Sequence, residues 1–334
     1  MNFYVSKGKK LSVLWNEISA KSNGGTELLC RRLEASLPAE LLEQVQIIPS
    51  RLHGELDETK IRILWLHDLP QDPESQKIFS TQLWKKFHKI IFVSQWQMQH
   101  YIQAYNIPWS ACCVIPNSIE PITRNPSRSD PTIRFVYHTT PHRGLDILYA
   151  AFDKLSETHK DIHLDVFSSF EIYGWPERNE PYKQLFENID KHQAMTNHGF
   201  QSNEKVREIL AEADVFAYPS VWPETSCLAL MEAMSAGMLC VHPNFGALAE
   251  TAANWTMMYQ FHEDPNQHAG MLYGILDSML KASKEAFSLQ LQNQKSYVDI
   301  FYNWNNRKRQ WIELIESLAS LPREFPQEMF EYRT

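Results

Sequence analysis

Short, almost wholly apolar runs alternate along this chain with longer segments whose apolar positions recur at helical spacing. Unbroken apolar runs suit strands buried on both faces, and their alternation with helical patterns predicts βαβ units and a parallel sheet. LSVLW at 11–15 reads as a strand, followed by the polar loop KSNGG and a helix from Thr26 to Leu37. Thr26 would cap that helix and Pro38 would end it. QVQIIP comes next, then IRILWLHD at 61–68, a buried strand with a polar end. A helix over 75–88 leads to a strand KIIFVS at 89–94, then WQMQHYIQAY as helix and ACCVIPNSI as strand and loop.

EPITRNPSRSDPT at 120–132 breaks this pattern with Pro, Ser and Arg and reads as a linker. The alternation then restarts: IRFVYH (strand), RGLDILYAAFDKL (helix), IHLDVFSS (strand), KVREILAEA (helix), DVFAYPS (strand), CLALMEAMSAG (helix) and MLCVHP (strand). Two α/β halves so joined place the default ligand site in a cleft between them. The tail from 283 is polar and helical, with Trp304 and Trp311 seven apart on one face.

A length of 334 residues favours two domains. A net charge of -8 argues against a nucleic-acid binder, which carries a basic excess. No apolar run reaches the length of a transmembrane helix, and the start lacks the apolar core and cleavage site of a signal peptide. Five scattered cysteines form no CxxC pair, so a reducing, cytoplasmic setting is expected.

The chemistry concentrates in YPSVWPETSCLALMEAMSAG at 218–237. Glu224 lies in a loop after a strand and Glu232 inside the following helix, with Thr225, Ser226 and Cys227 at the helix entry. Unpaired N–H groups and the helix dipole favour an anion such as a diphosphate there, and the two carboxylates suit sugar hydroxyls on either side. Spacing alone equally allows Glu224 as a helix cap and Glu232 as a solvated helix residue.

With these residues, the chain resembles glycosyltransferase family 4, retaining enzymes of the GT-B fold with a Glu-x7-Glu motif. Further segments match in order: NGGTE (23–27), WLHD (65–68), VIPNSIEP (114–121), TTPHRGLDIL (139–148), NHGF (197–200) and GALAE (246–250). The resemblance implies two Rossmann-like parallel-sheet domains facing a cleft: residues 1–122 on the acceptor side and 123–305 binding the donor. A helix at 306–334 would pack back on the first domain. Glu232 would bind the ribose hydroxyls. Glu224 would face the transferred sugar and stabilise charge as the glycosidic bond breaks, and His67 would contact the donor sugar near the acceptor. Backbone amides at Ser226, Cys227 and Leu228 would hold sugar and diphosphate, with Gly24 and Gly25 approaching the phosphates. His138 and Arg143 belong to the phosphate-contacting segment, and Gly199 and Phe200 to the base-contacting turn.

The implied activity moves a sugar from a nucleotide-sugar, UDP- rather than GDP-linked, to a hydroxyl of a glycan or lipid-linked acceptor. No cofactor or metal is expected, because no Asp-x-Asp triplet is present. The alternatives are a nucleotide-sugar-binding protein without turnover and an epimerase of the same fold. The basic and aromatic cluster Trp84 to Lys89 reads either as a solvated helix face or as a peripheral contact with the inner face of a membrane; Arg307-Lys308-Arg309 reads as surface.

This chain departs from the family pattern in three places. His138 stands where an Arg is usual, with Arg143 in the Lys position; Ser168-Ser169-Phe170 replaces a Gly-x-Gly turn; and Thr225-Ser226-Cys227 stands where a Gly is common. With an unperturbed pKa near 6.5, His138 would tighten donor binding as pH falls from about 8 to about 6.

Overall fold

The computed structural model describes residues 23–52, 54–125 and 130–320; the expected strand at 11–15 lies outside them. The chain divides into two compact units. Of the described residues, the first takes 25–115 and 307–320, and the second takes 23–24 and 116–306.

The first unit runs α1 (Gly25–Ser36), α2 (Ala39–Gln44), β1 (Val45–Pro49), β2 (Ile61–Leu66), α3 (Pro73–Ser80), β3 (Lys89–Phe92), α4 (Gln95–Tyr105) and β4 (Cys112–Val114). Its described strands pair in parallel in the order β1-β2-β3-β4. β1 is buried at every position and β2 at all but Arg62, which is why neither alternates polar with apolar. Leu64, Phe79, Phe92, Met98 and Tyr101 build the core beside them. α1 opens at Gly25, so Thr26 lies inside its first turn rather than at its cap.

The helix expected over 75–88 is interrupted. α3 stops at Ser80, Gln82 turns to φ 58°, and one 3-10 turn holds Leu83–Lys86. Trp84 and Phe87 are buried in the core, so of the basic and aromatic cluster only Lys85 and Lys86 stand exposed. A membrane-facing reading of this segment loses its aromatic half.

The second unit runs β5 (Ile133–Tyr137), α5 (Leu145–Thr158), β6 (Ile162–Val166), α6 (Lys183–Lys191), β7 (Met195–Asn197), α7 (Asn203–Leu210), β8 (Val215–Ala217), α8 (Leu228–Ser235), β9 (Leu239–Pro243), α9 (Leu248–Ala252), β10 (Met257–Tyr259), α10 (Pro265–Lys281) and α11 (Ser288–Phe301). Its described strands form one parallel sheet in the order β10-β9-β8-β5-β6-β7. Strand order reverses between β5 and β8, the place where open α/β sheets bind ligands. The apolar core covers both sheet faces, with Phe135, Phe152, Leu164, Phe216, Met231 and Leu276 among its members.

The composition break put the domain boundary at residue 122, whereas the contacts put it between Ile115 and Pro116. Ile119 and Ile122 explain the difference: both are buried in the second unit's core. The Ile122 N–H donates to Ser235 Oγ at 2.8 Å, and Lys295 Nζ donates to the Ile122 carbonyl at 2.7 Å. The Pro-rich stretch therefore leads into β5 rather than separating the units.

α12 (Trp304–Ser320) is shared between the units. From Arg307 it belongs to the first, where Trp311 meets Trp65 edge-on with ring centroids 5.0 Å apart. Trp304 falls in the second unit, so the two tryptophans do not serve one face of one unit. Arg307 is buried, contrary to the surface reading, while Arg309 is exposed. Among the described residues no helix is long and apolar enough to cross a membrane.

Candidate active site

The loops leaving β5 and β8 meet at the switch point. After β5, a 3-10 turn over Pro141–Arg143 closes on Gly144, whose φ is 106°. A Cβ there would lie 2.1 Å from the Pro219 carbonyl oxygen, so only glycine lets the two loops pass this closely. That approach brings Arg143 Nη1 onto Glu224 Oε1 as an ion pair. The Tyr218 hydroxyl donates to the same oxygen at 2.5 Å. Burial and the neighbouring Glu224 charge push the Tyr218 pKa far up, so the phenol keeps its proton. Glu224 is 4% exposed and is thus a buried, twice-bonded carboxylate.

The loop after β9 supports the same residue from behind. Gly246, at φ 62°, lies so close that a Cβ would sit 2.5 Å from the Glu224 backbone nitrogen. The Ala247 N–H donates to the Glu224 carbonyl at 2.7 Å.

α8 begins at Leu228, and its cap is Cys227, whose Sγ accepts from the Leu230 N–H at 3.4 Å. Glu224 is therefore not the cap. Ser226, Cys227 and Leu228 lie at the positive end of the helix. Glu232, in the middle of α8, is 5% exposed and not solvated. Arg207 Nη1 from α7 sits 2.8 Å from its Oε1, and Arg207 Nη2 donates to the Glu120 carbonyl at 2.8 Å. Each carboxylate of the motif thus has its own arginine, which is how a buried negative charge is tolerated.

His138 follows β5 and packs against Phe216 with ring centroids 5.1 Å apart. Burial lowers its pKa to about 4, although Glu232 and a backbone hydrogen bond at Ala229 pull the other way. The ring is neutral throughout the range from pH 8 to 6, so the expected tightening of donor binding over that range does not arise from His138. Its Nε2 is shut from solvent without a hydrogen-bond partner, as are Thr140 Oγ1, His142 Nδ1, Arg143 Nε and Ser168 Oγ. Buried polar atoms are almost always paired, so five unpaired ones on two adjacent loops mark where a polar ligand fits.

At the end of β7, Gly199 has φ 60° and donates its N–H to Asn197 Oδ1 at 3.1 Å, with Phe200 half-buried after it. The turn is braced by His198, which stacks flat on Phe167 at 4.4 Å and lies 2.7 Å from Asp165. Gly24 groups with this unit, where the Asn23 N–H donates to the Ile172 carbonyl at 2.7 Å, while Gly25 opens α1 of the first unit. His67 also belongs to the first unit. Its N–H donates to Ser50 Oγ at 2.8 Å, its ring lies 4.5 Å from Trp65, and burial lowers its pKa to about 3. Asp68 beside it faces Arg51 at 3.4 Å.

Sequence reading gave no role to Tyr218, Arg207 or Gly246. Tyr218 and Gly246 lie in quoted motifs, so their neighbourhood was marked. Arg207 carries no such signal, because its pairing with Glu232 links helices 25 residues apart.

A family model for glycosyl transferases group 1 matches residues 120–295, more than half of the chain. The GPI3 subunit of phosphatidylinositol N-acetylglucosaminyltransferase from Saccharomyces cerevisiae is 20% identical over 249 residues, 70% of this chain and 51% of its own length. The chain thus spans about half the length of the curated relatives it matches. Among solved structures, a glycosyltransferase from Rickettsia africae superposes with a TM-score of 0.64 at 16% identity, covering 89% of this chain and 81% of that one. HepE from Anabaena in complex with UDP-glucose gives 0.61 at 17%, covering 77% and 72%. The pneumococcal O-GlcNAc transferase GtfA in complex with UDP and GlcNAc gives 0.67 at 12%, covering 88% and 60%. Two parallel-sheet α/β units, the paired carboxylates at the switch point and the family match together place the chain: it has the GT-B fold and belongs to the glycosyl transferases group 1 family.

Proposed function

We propose that this chain transfers a sugar from a UDP-sugar to a hydroxyl of a glycan or lipid-linked acceptor, with retention of configuration and without a metal. The observation that carries the reading is the pair of buried carboxylates, Glu224 and Glu232, around the entry of α8, each matched to one arginine. UDP is favoured because HepE and GtfA hold UDP or UDP-glucose in their structures. The name of the yeast relative couples N-acetylglucosaminyl transfer to phosphatidylinositol, which supports a lipid-linked hydroxyl beside a glycan hydroxyl.

Each residue then has a task. Glu232, held in place by Arg207, accepts from the ribose hydroxyls. The N-terminus of α8 and the unpaired Nε edge of Arg143 take the diphosphate, whose charge grows as the bond to the sugar breaks. Glu224 has one oxygen bound by Arg143 and Tyr218 and offers the other to the transferred sugar, where positive charge develops in an oxocarbenium-like transition state. The acceptor attacks on the face the diphosphate leaves, and a phosphate oxygen takes its proton. His67, held neutral by burial, is a hydrogen-bonding partner for the sugar rather than a cation.

Calorimetric titration with UDP tests the donor site. Glu232→Ala is expected to weaken UDP by about 1.5–3 kcal/mol, the cost of a lost hydrogen bond to a charged group. Unchanged affinity would remove the ribose role. Turnover of UDP-glucose and UDP-N-acetylglucosamine is expected to survive excess EDTA. Loss restored by manganese or magnesium would overturn metal independence.

A further inference from the structure

Glu232 belongs to α8, but a second length of chain fixes where its carboxylate points. Arg207 on α7 uses its guanidinium in two directions. Nη1 holds Glu232 Oε1 at 2.8 Å, while Nη2 donates to the Glu120 carbonyl at 2.8 Å and to the Pro121 carbonyl at 3.3 Å. A guanidinium is planar and rigid, so seating Nη2 on two carbonyls also fixes the direction in which Nη1 meets the carboxylate. The fork is enclosed, with 18% of the Arg207 side chain and 7% of the Glu232 side chain exposed.

The two carbonyls are themselves fastened. Glu120 and Pro121 open the stretch whose composition reads as a linker, yet hydrogen bonds tie that stretch down along its length. The Ile119 N–H donates to the Tyr302 carbonyl at 2.9 Å. The Ile122 N–H donates to Ser235 Oγ at 2.8 Å, on α8 like Glu232 itself. Lys295 Nζ donates to the Ile122 carbonyl at 2.7 Å. Further on, Arg124 Nη1 donates to the Ala213 carbonyl at 3.0 Å, and the Asn125 N–H to the Ala211 carbonyl at 2.8 Å, just past the end of α7. Residues 119–125 are thus laced to α7 and α8, and Arg207 sets Glu232 against that strut.

We propose that Arg207 is the positioning residue that makes the donor site select ribonucleotide over 2′-deoxyribonucleotide sugars. The inference rests on the ribose role given to Glu232 above and extends it to the class of donor. Arg207 acts through Glu232 rather than on the donor. It occupies Oε1 and leaves Oε2 to accept from the sugar hydroxyls. A carboxylate free to turn would exchange a missing hydroxyl for water at little loss. One held by a fixed fork in an enclosed place cannot turn, and a donor without the 2′-hydroxyl leaves it short of a partner, which is how a site built for a hydroxyl rejects the analogue lacking it.

The test titrates the full chain by calorimetry with UDP and with 2′-deoxy-UDP, which differ by one oxygen. The parent is expected to bind UDP more tightly by about 10- to 150-fold, the worth of one hydrogen bond to a charged group. Arg207→Lys keeps the charge beside Glu232 but not the fork, and Arg207→Met removes both. In each, that ratio is expected to fall within about threefold of unity, while affinity for 2′-deoxy-UDP is nearly kept. Melting temperatures establish that the variants are folded, and Arg207→Lys decides alone if Arg207→Met is not. A residue that merely joined α7 to α8 would weaken both nucleotides alike and leave the ratio as it was, and that result overturns the proposal. No UDP binding by the parent would overturn the transferase reading and this inference with it. Equal affinity of the parent for the two nucleotides would remove the ribose role of Glu232.

Discussion

Gly246→Ala is a one-carbon change aimed at the support of Glu224. At φ 62° an alanine carries the left-handed backbone cost of about 1–2 kcal/mol. The added Cβ would stand 2.5 Å from the Glu224 nitrogen and 2.8 Å from its carbonyl oxygen, both backbone atoms that cannot rotate away. Restoring ordinary contact at 3.4 Å needs a shift of about 0.9 Å, and Glu224 moves with it through the Ala247 hydrogen bond. A displacement of that size at a reacting group costs about 100-fold in turnover. UDP affinity is expected to hold, because Glu232 and Arg207 lie on other elements. The matched control is Gly270→Ala in α10, where a Cβ meets nothing within 4 Å. The same substitution there is expected to stabilise by up to about 1 kcal/mol. Melting temperature by calorimetry and turnover of a UDP-sugar read both effects. Turnover of a folded Gly246→Ala protein within about threefold of the parent would refute this account of how Glu224 is placed.

Tyr218→Phe removes one of the two hydrogen bonds to Glu224 Oε1 and is expected to lower kcat while leaving UDP affinity alone; an equal loss in both would assign Tyr218 to donor binding. Arg143→Ala strands a buried carboxylate, so it is expected to cost about 3–5 kcal/mol of stability as well as donor affinity, read by chemical denaturation. Burial depresses the pKa of His67 to about 3 and of His138 and His242 to about 4, so between roughly pH 6.5 and those values only the unfolded chain binds these protons. Stability is then expected to fall as pH drops through that window, by about 1.4 kcal/mol per pH unit for each such histidine. A melting temperature that stays level from pH 7 to pH 5 would contradict their burial as neutral rings.

The strands and helices were legible because buried parallel strands write themselves as largely apolar runs, as β8 does throughout and as β2 and β5 do apart from Arg62 and Arg134. The helix that carries Glu232, α8, was legible for the same reason: a loop, a turn and two helical turns are local geometry. What the sequence hid were pairings across elements. Nothing local tells Glu232 that its partner is Arg207, or Glu224 that Gly246 will press on its backbone. The boundary at 122 was misplaced because prolines and serines signal irregular chain, whereas only packing shows that Ile119 and Ile122 are anchored. His138 was read with a solvent pKa because burial has no signature in composition.

The allocation of α12 has a consequence for the order in which this protein is made. Trp65 emerges from the ribosome before nearly all of the second unit, but the Trp311 ring that packs on it follows only after the whole of that unit. The second unit is nearly one continuous stretch of chain and can close its core as it is synthesised, while the first must wait with one wall open. The completed second unit then acts as a folded spacer, shortening the loop that must close when residue 311 reaches residue 65. Chains truncated after Asn303 should therefore keep a protease-resistant second unit and lose protection of the first, and equal resistance of both would show that α12 is not needed to finish it.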